Sequence, residues 1–391
     1  MQYLVSLLAE IGFFKMYIPQ KQIENLRKLI EPGKVTVIYG PRRVGKTTLL
    51  KKYLEGENDS VLFVNGDDII VRQYLESQSI QTLRDFIGHH RLLVVDEAQY
   101  VEKIGLNLKL IVDHIPGIKV IVTGSSSFDL AQDVGEPLTG RKYVLKLFPL
   151  AQMEISKIEK RHETTAGLES RLIYGSYPEV VLIRDNRRRE DYLRELIQSY
   201  LFKDILVLEG IRYANKLVRL LQLLAFQIGK QVSFTELGKQ LSMSKNTVER
   251  YLDLLEKVFV IYRLSGFSRN LRKEITKSHR YFFYDTGVRN ALIGNFNPLT
   301  VRNDLGELWE NYIITERMKR QEYLRSVTNS YFWRTYDKKE IDLVEEREGK
   351  LFGYEIKWKK ERVKIPRDWT GGYPGAAFEV VHRENYLKFI Q

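Results

Sequence analysis

The sequence has no cysteine in its 391 residues. That absence excludes a disulfide framework, a thiolate nucleophile and any zinc site built on cysteine. Long apolar runs are missing as well. Glu10 and Lys15 interrupt the N-terminal stretch, and nothing approaches the roughly 20 apolar residues that cross a bilayer. The same stretch lacks a basic start and a small-residue cleavage site, so the sequence predicts no secretory signal. The chain reads as cytoplasmic, without a membrane partner. An apolar content of 43% is ordinary for a folded chain, and the length allows two or three domains, each with its own core.

Positive charge is present in excess, and it is concentrated. Residues 211–280 hold 14 Lys/Arg against 5 Asp/Glu, a net of +9 in a chain of net +12. Such a segment is either the footprint of a polyanionic partner or a solvated basic face.

The apolar run Val35-Thr36-Val37-Ile38-Tyr39 leads into Gly40-Pro41-Arg42-Arg43-Val44-Gly45-Lys46-Thr47-Thr48. This fits G-x-x-x-x-G-K-[ST], the Walker A phosphate-binding loop, between a strand and a helix carrying Leu49, Leu50, Tyr53 and Leu54. Gly40 and Gly45 let backbone N–H groups turn toward an anion, and the new helix points its positive end at it. Lys46 is expected on the terminal phosphates and the Thr47 hydroxyl on Mg²⁺. Arg42 and Arg43 face the phosphates, a neighbouring subunit or solvent.

Leu92-Leu93-Val94-Val95-Asp96-Glu97 has the form of a Walker B strand, with two carboxylates at the end where such sheets bind ligands. Asp96 is expected to hold Mg²⁺ and Glu97 to activate water. Val120-Ile121-Val122 ends in Thr123-Gly124-Ser125-Ser126-Ser127, where a hydroxyl can sense a γ-phosphate or cap a helix near Phe128. Ser125 is the first choice and Thr123 the second. Arg141 faces phosphate or forms a structural salt bridge. With Val61-Leu62-Phe63-Val64 and the helical run near 105–115, these strands predict a buried parallel sheet.

Those stretches, with Phe148-Pro149-Leu150 and Gly175-Ser176-Tyr177-Pro178-Glu179, resemble in their order the prokaryotic AAA-type ATPases that carry a C-terminal domain of unknown function. The resemblance implies an ATP-binding protein that hydrolyses ATP. It supplies no biological role.

Residues 1–33 read as helical, and the charge run Arg184–Glu190 reads as a linker ending an ATPase domain at 184. In 185–295, Leu217, Leu220, Leu221 and Leu224 form one helix face, and Ser233-Phe234-Thr235-Glu236 opens a second helix. A third carries Val248, Tyr251, Leu252 and Leu255. A strand at Val258–Leu264 and a basic turn follow, the winged helix-turn-helix pattern. Lys245, Asn246, Thr247 and Arg250 are candidates for groove contacts, with Arg269, Arg272 and Lys273 for phosphates; alternatively the module packs as a lid or binds protein.

Residues 296–391 open with a helix from Leu305 to about Tyr323, then strands. Asp342, followed by Glu355-Ile356-Lys357, resembles the D…(D/E)-x-K signature of restriction-endonuclease-like folds, with Glu310 or Glu307 on the preceding helix. Glu355 and Lys357 share a strand face, where Mg²⁺ could activate water, or they form a solvated face. The predicted fold is thus an α/β P-loop NTPase with an AAA+-like parallel sheet, a winged helix-turn-helix module and an α/β restriction-endonuclease-like domain. ATP and Mg²⁺ are the expected cofactors. Three functions remain open: an ATPase driving or gating a nucleic-acid module, an ATP-licensed nuclease, or a scaffold ATPase that binds protein. Nothing in the sequence sets an oligomeric state.

Overall fold

The computed structural model describes residues 17–124, 137–201, 214–268, 279–335 and 337–391. Its first sheet has the order β2-β3-β4-β1-β5 and is parallel throughout. The strands are β1 Val35–Tyr39, β2 Val61–Asn65, β3 Leu92–Asp96, β4 Lys119–Gly124 and β5 Lys142–Lys146. β1 and β3 are buried along their whole length, whereas the edge strands β2 and β5 alternate toward solvent. Burial on both faces explains why the central strands read as unbroken apolar runs.

Side chains alternate between two cores, as the two-residue repeat requires. Ile38, Leu92, Val94 and Ile121 pack with α1 (Gln22–Leu29) and α2 (Lys46–Leu54). Val37, Leu93, Val95 and Val122 pack with the Ile80–Ile87 helix and α3 (Ile104–His114). Of the helix expected over 1–33, the described part is α1 alone; residues 1–16 lie outside the described residues.

The charge run at 184–190 is not a linker. Asp185 caps α4 (Asn186–Glu195), its Oδ1 accepting the Arg188 N–H at 2.8 Å, and α4 continues as a π turn over Leu196–Leu201. Arginines dominate this stretch because the helix shows a long exposed face, where charge is solvated.

Beyond it come α5 (Ala214–Phe226), β6 (Gln231–Val232), α6 (Phe234–Leu241) and α7 (Lys245–Lys257). Ser233 and Ser244 cap α6 and α7 through the N–H groups of Glu236 and Thr247. β7 runs Ile261–Gly266, three residues later than the apolar run beginning at Val258, because Phe259 turns at φ +60°. β8 (His279–Phe283) and α8 (Thr286–Leu292) follow, then α9 (Leu305–Tyr323), β9 (Asn329–Arg334), β10 (Glu340–Arg347), β11 (Lys350–Ile356) and β12 (Ala377–Val381).

Strands β6 to β12 form one mixed sheet, ordered β12-β11-β10-β9-β7-β8-β6. β7 pairs with β9 in parallel, Ser265 opposite Tyr331 and Gly266 opposite Phe332. A boundary at 295/296 therefore does not divide two separate cores. One apolar cluster runs from Leu49 and Ile121, through Leu221 and Leu252, to Trp309 and Ile390.

Candidate functional site

The phosphate loop leaves β1 where the backbone is crowded. A Cβ on Gly40 would lie 2.1 Å from the Leu147 carbonyl oxygen, so only glycine passes there. Gly45, at φ +96°, begins α2 in a conformation that other residues rarely adopt. Lys46 is buried, and its Nζ donates to the carbonyls of Gly40 (3.0 Å) and Pro41 (2.9 Å).

Three strand ends bring the remaining groups together. The Thr47 hydroxyl donates to Asp96 Oδ2 at 2.7 Å, and the Thr123 hydroxyl donates to Asp96 Oδ1. Thr123 Oγ1 also accepts the Glu97 N–H at 3.0 Å. β4 lies between β1 and β3, which is why its terminal hydroxyl meets both acidic residues. Glu97 itself sits at φ +54°, and Gln99 Nε2 donates to its carboxylate. Thr123 thus holds the strand-end place; Ser125 lies outside the described residues.

A cavity of about 420 Å³ opens over Gly45, Lys46, Thr47 and Thr48, with Arg42, Arg43 and Glu97 on its rim. Arg42 also donates to the Tyr100 hydroxyl at 2.9 Å. One wall is apolar, made by Tyr17, Ile18, Leu150, Pro178 and Leu182, with Gln20 and Glu179 beside it. Gln20 donates to the Val44 carbonyl at 2.9 Å, while its buried Oε1 has no hydrogen-bond partner. An anion cradle, a threonine–aspartate pair and an apolar flank with an unsatisfied acceptor fit a magnesium–nucleotide complex. Sequence reasoning missed this wall. Its only trace was Phe148-Pro149-Leu150 and Gly175–Glu179, which carried a resemblance and no role.

Arg141 is far from this site. It precedes β5 at the N-terminal edge of the sheet, where its carbonyl accepts the Val35 N–H. Its Nε donates to Asp113 at 2.7 Å. The salt-bridge alternative is the one realised.

The C-terminal candidates do meet. Glu310 on α9, Asp342 on β10, and Glu355 and Lys357 at the end of β11 form one cluster. Lys357 Nζ lies 2.7 Å from Glu355 Oε1. Burial, with Asp342 adding repulsion, raises the Glu310 carboxyl well above the usual range and raises Glu355. Burial likewise raises Asp342. Lys357 is pulled down by burial, but Glu355 and Asp342 outweigh that and raise it. Glu307 points elsewhere, 3.6 Å from Lys230. Among the described residues no group of three or more His, Asp or Glu is arranged to hold a metal ion.

On α7, Lys245, Asn246 and Arg250 are exposed, and Thr247 shares its hydroxyl with the Ser244 cap at 2.8 Å. Arg269, Arg272 and Lys273 lie outside the described residues. Among the described residues no helix is long and apolar enough to cross a membrane.

Comparison with known proteins finds three family matches along the chain. Residues 32–156 match an AAA domain. Residues 165–299 and 305–368 match two domains of unknown function, DUF8612 and DUF4143. An uncharacterized protein of Mycobacterium tuberculosis is 26% identical, covering 85% of this chain and 72% of its own. One from Haemophilus influenzae is 24% identical, covering 86% of each. Among solved structures, the Walker-type ATPase of Pyrococcus abyssi aligns with a TM-score of 0.47 at 17% identity, covering 70% of this chain and 93% of that one. The AAA match, with the loop and strand-end geometry, makes residues 32–156 a P-loop domain of the AAA type.

Proposed function

We propose that the protein is a magnesium-dependent ATPase whose nucleotide site drives or gates a nucleic-acid-binding winged-helix module. The observation that supports this most is the joined set Thr47, Asp96, Thr123 and Glu97 beside Lys46. Thr47 and Asp96 would hold the metal, and the Gly40–Thr48 loop the phosphates. The bound magnesium–nucleotide supplies the reacting phosphoryl group and the charge that offsets its oxygens. Lys46 would turn from the Gly40 and Pro41 carbonyls to phosphate oxygens. Glu97, oriented by Gln99 and by its own N–H on Thr123, accepts a proton from water.

Coupling would run through the end of β5. Phe148 follows Leu147, the residue that crowds Gly40, and stacks on Tyr284 at 5.3 Å and edge-on to Phe259 at 6.0 Å. The Tyr323 hydroxyl accepts the Phe148 N–H at 3.2 Å. A shift at the loop therefore reaches the β7–β8 hairpin and α9 together.

The exposed Lys245, Asn246 and Arg250 at the start of α7 favour nucleic acid as the partner. The ATPase rate with and without single- and double-stranded DNA tests the coupling. Stimulation supports it; no DNA affinity even at low salt favours the protein-binding scaffold instead. The nuclease alternative has less support, because the carboxylates it needs are already engaged by cationic side chains.

A further inference from the structure

The Glu310, Asp342, Glu355 and Lys357 cluster has the residue types of a divalent-cation site, yet its surroundings do not fit one. Arg280 on β8 is only 4% exposed. Its Nη1 lies 3.3 Å from Glu310 Oε1 and 3.8 Å from Asp342 Oδ1, and its Nη2 donates to Glu340. The guanidinium reaches these groups across the Phe332 ring of β9, 4.6 Å from its centre. A full positive charge thus lies among the carboxylates that a metal would need, and a second cation there would be repelled.

The oxygens are committed in other ways too. Pairing between β9 and β10 shifts between Ile341 and Val344, which brackets Asp342. Its Oδ2 accepts the Ile356 N–H at 2.8 Å, the last residue of β11. One oxygen of Asp342 therefore finishes a backbone ladder. Glu355 is held by Lys357, and Glu340 also faces Arg334 at 3.8 Å. Guanidinium is suited to this place: it is planar, always charged and donates in several directions.

We infer that Arg280 is the resident cation of this cluster, which is an ion-pair lock tying the β7–β8 hairpin to β10 and α9 rather than a metal centre. The same contacts explain how β8, which does not pair with β9 or β10, is fastened to the C-terminal strands. Removing one member of such a buried set leaves its partners uncompensated.

Mn²⁺ binding to the full-length, nucleotide-free protein, read from the loss of the free-ion EPR signal, tests the first half. Wild type, Asp342→Asn and Glu355→Gln are expected to bind the same number of ions. Two carboxylate variants are used so that one which fails to fold does not remove the test. One more Mn²⁺ in wild type than in a folded variant would overturn the inference. The second half is read by melting temperature. Arg280→Ala should melt several degrees lower, and adding Glu310→Gln should recover part of that loss. Losses that simply add would sink the lock.

Discussion

Thr123 carries two hydrogen bonds at once, one to Asp96 and one from the Glu97 backbone. Replacing it by valine keeps the shape and strips both. With Asp96 and the Glu97 backbone no longer held in place, Thr123→Val should lower kcat by up to roughly 100-fold, read by phosphate release. Glu97→Gln should retain nucleotide binding and hydrolyse about 10²–10⁴-fold more slowly; full turnover by that variant would remove Glu97 from the role of base. Glu154 offers a pH test. It is fully buried, and loss of hydration pushes its carboxyl up to about 7 despite N–H bonds from Ala151 and Lys21. The folded state therefore binds its proton more tightly than the unfolded chain. That contribution to stability is complete below about 4.5 and is lost as the pH rises through 7, with a slope of up to about 1.4 kcal/mol per pH unit. Urea unfolding between pH 5 and 7.5 should show the fall, and Glu154→Gln should flatten it.

At the scale of elements, the turn from Tyr174 to Ser176 packs against Asp285, the residue that caps α8. Gly175 has φ +75°, and a Cβ there would lie 2.0 Å from Asp285 Oδ1. Asp285 in turn accepts the N–H groups of Ser176 (2.7 Å) and Val288 (3.1 Å). Gly175→Ala meets both the backbone penalty and the clash, and should cost at least about 1 kcal/mol in chemical unfolding. In the sequence, Gly175-Ser176-Tyr177-Pro178-Glu179 carried a resemblance and neither a turn nor a contact. Arg141 is a second case. Its spacing from β4 does not say at which end of a parallel strand it falls, and β5 begins only at Lys142. The choice between a phosphate contact and a salt bridge was therefore a matter of strand position, which residue type does not encode.

At the scale of the whole molecule, one apolar cluster and one shared sheet join what pattern alone separates into modules. Calorimetry of the nucleotide-free protein should show a single transition. A separate low-temperature transition for the C-terminal strands would contradict that continuity. Magnesium–ATP at about 100 times its Kd should stabilise the protein by about 2.7 kcal/mol, and Lys46→Ala should abolish the shift.

The phosphate loop, the Asp96-Glu97 strand end, the parallel α/β domain and most strands could be read in sequence, because each depends on spacing within a few residues; β5, β6 and β8 could not. Which strands pair, which residues wall the nucleotide cavity and what neutralises the C-terminal carboxylates emerge from the folded chain. Ser265 meets Tyr331, and Arg280 meets Glu310 and Glu340. These partners lie far apart along the chain. A side chain's hydrogen bonds and charge balance are set by what the fold brings beside it, and Arg280 in sequence was one more cation in a basic run.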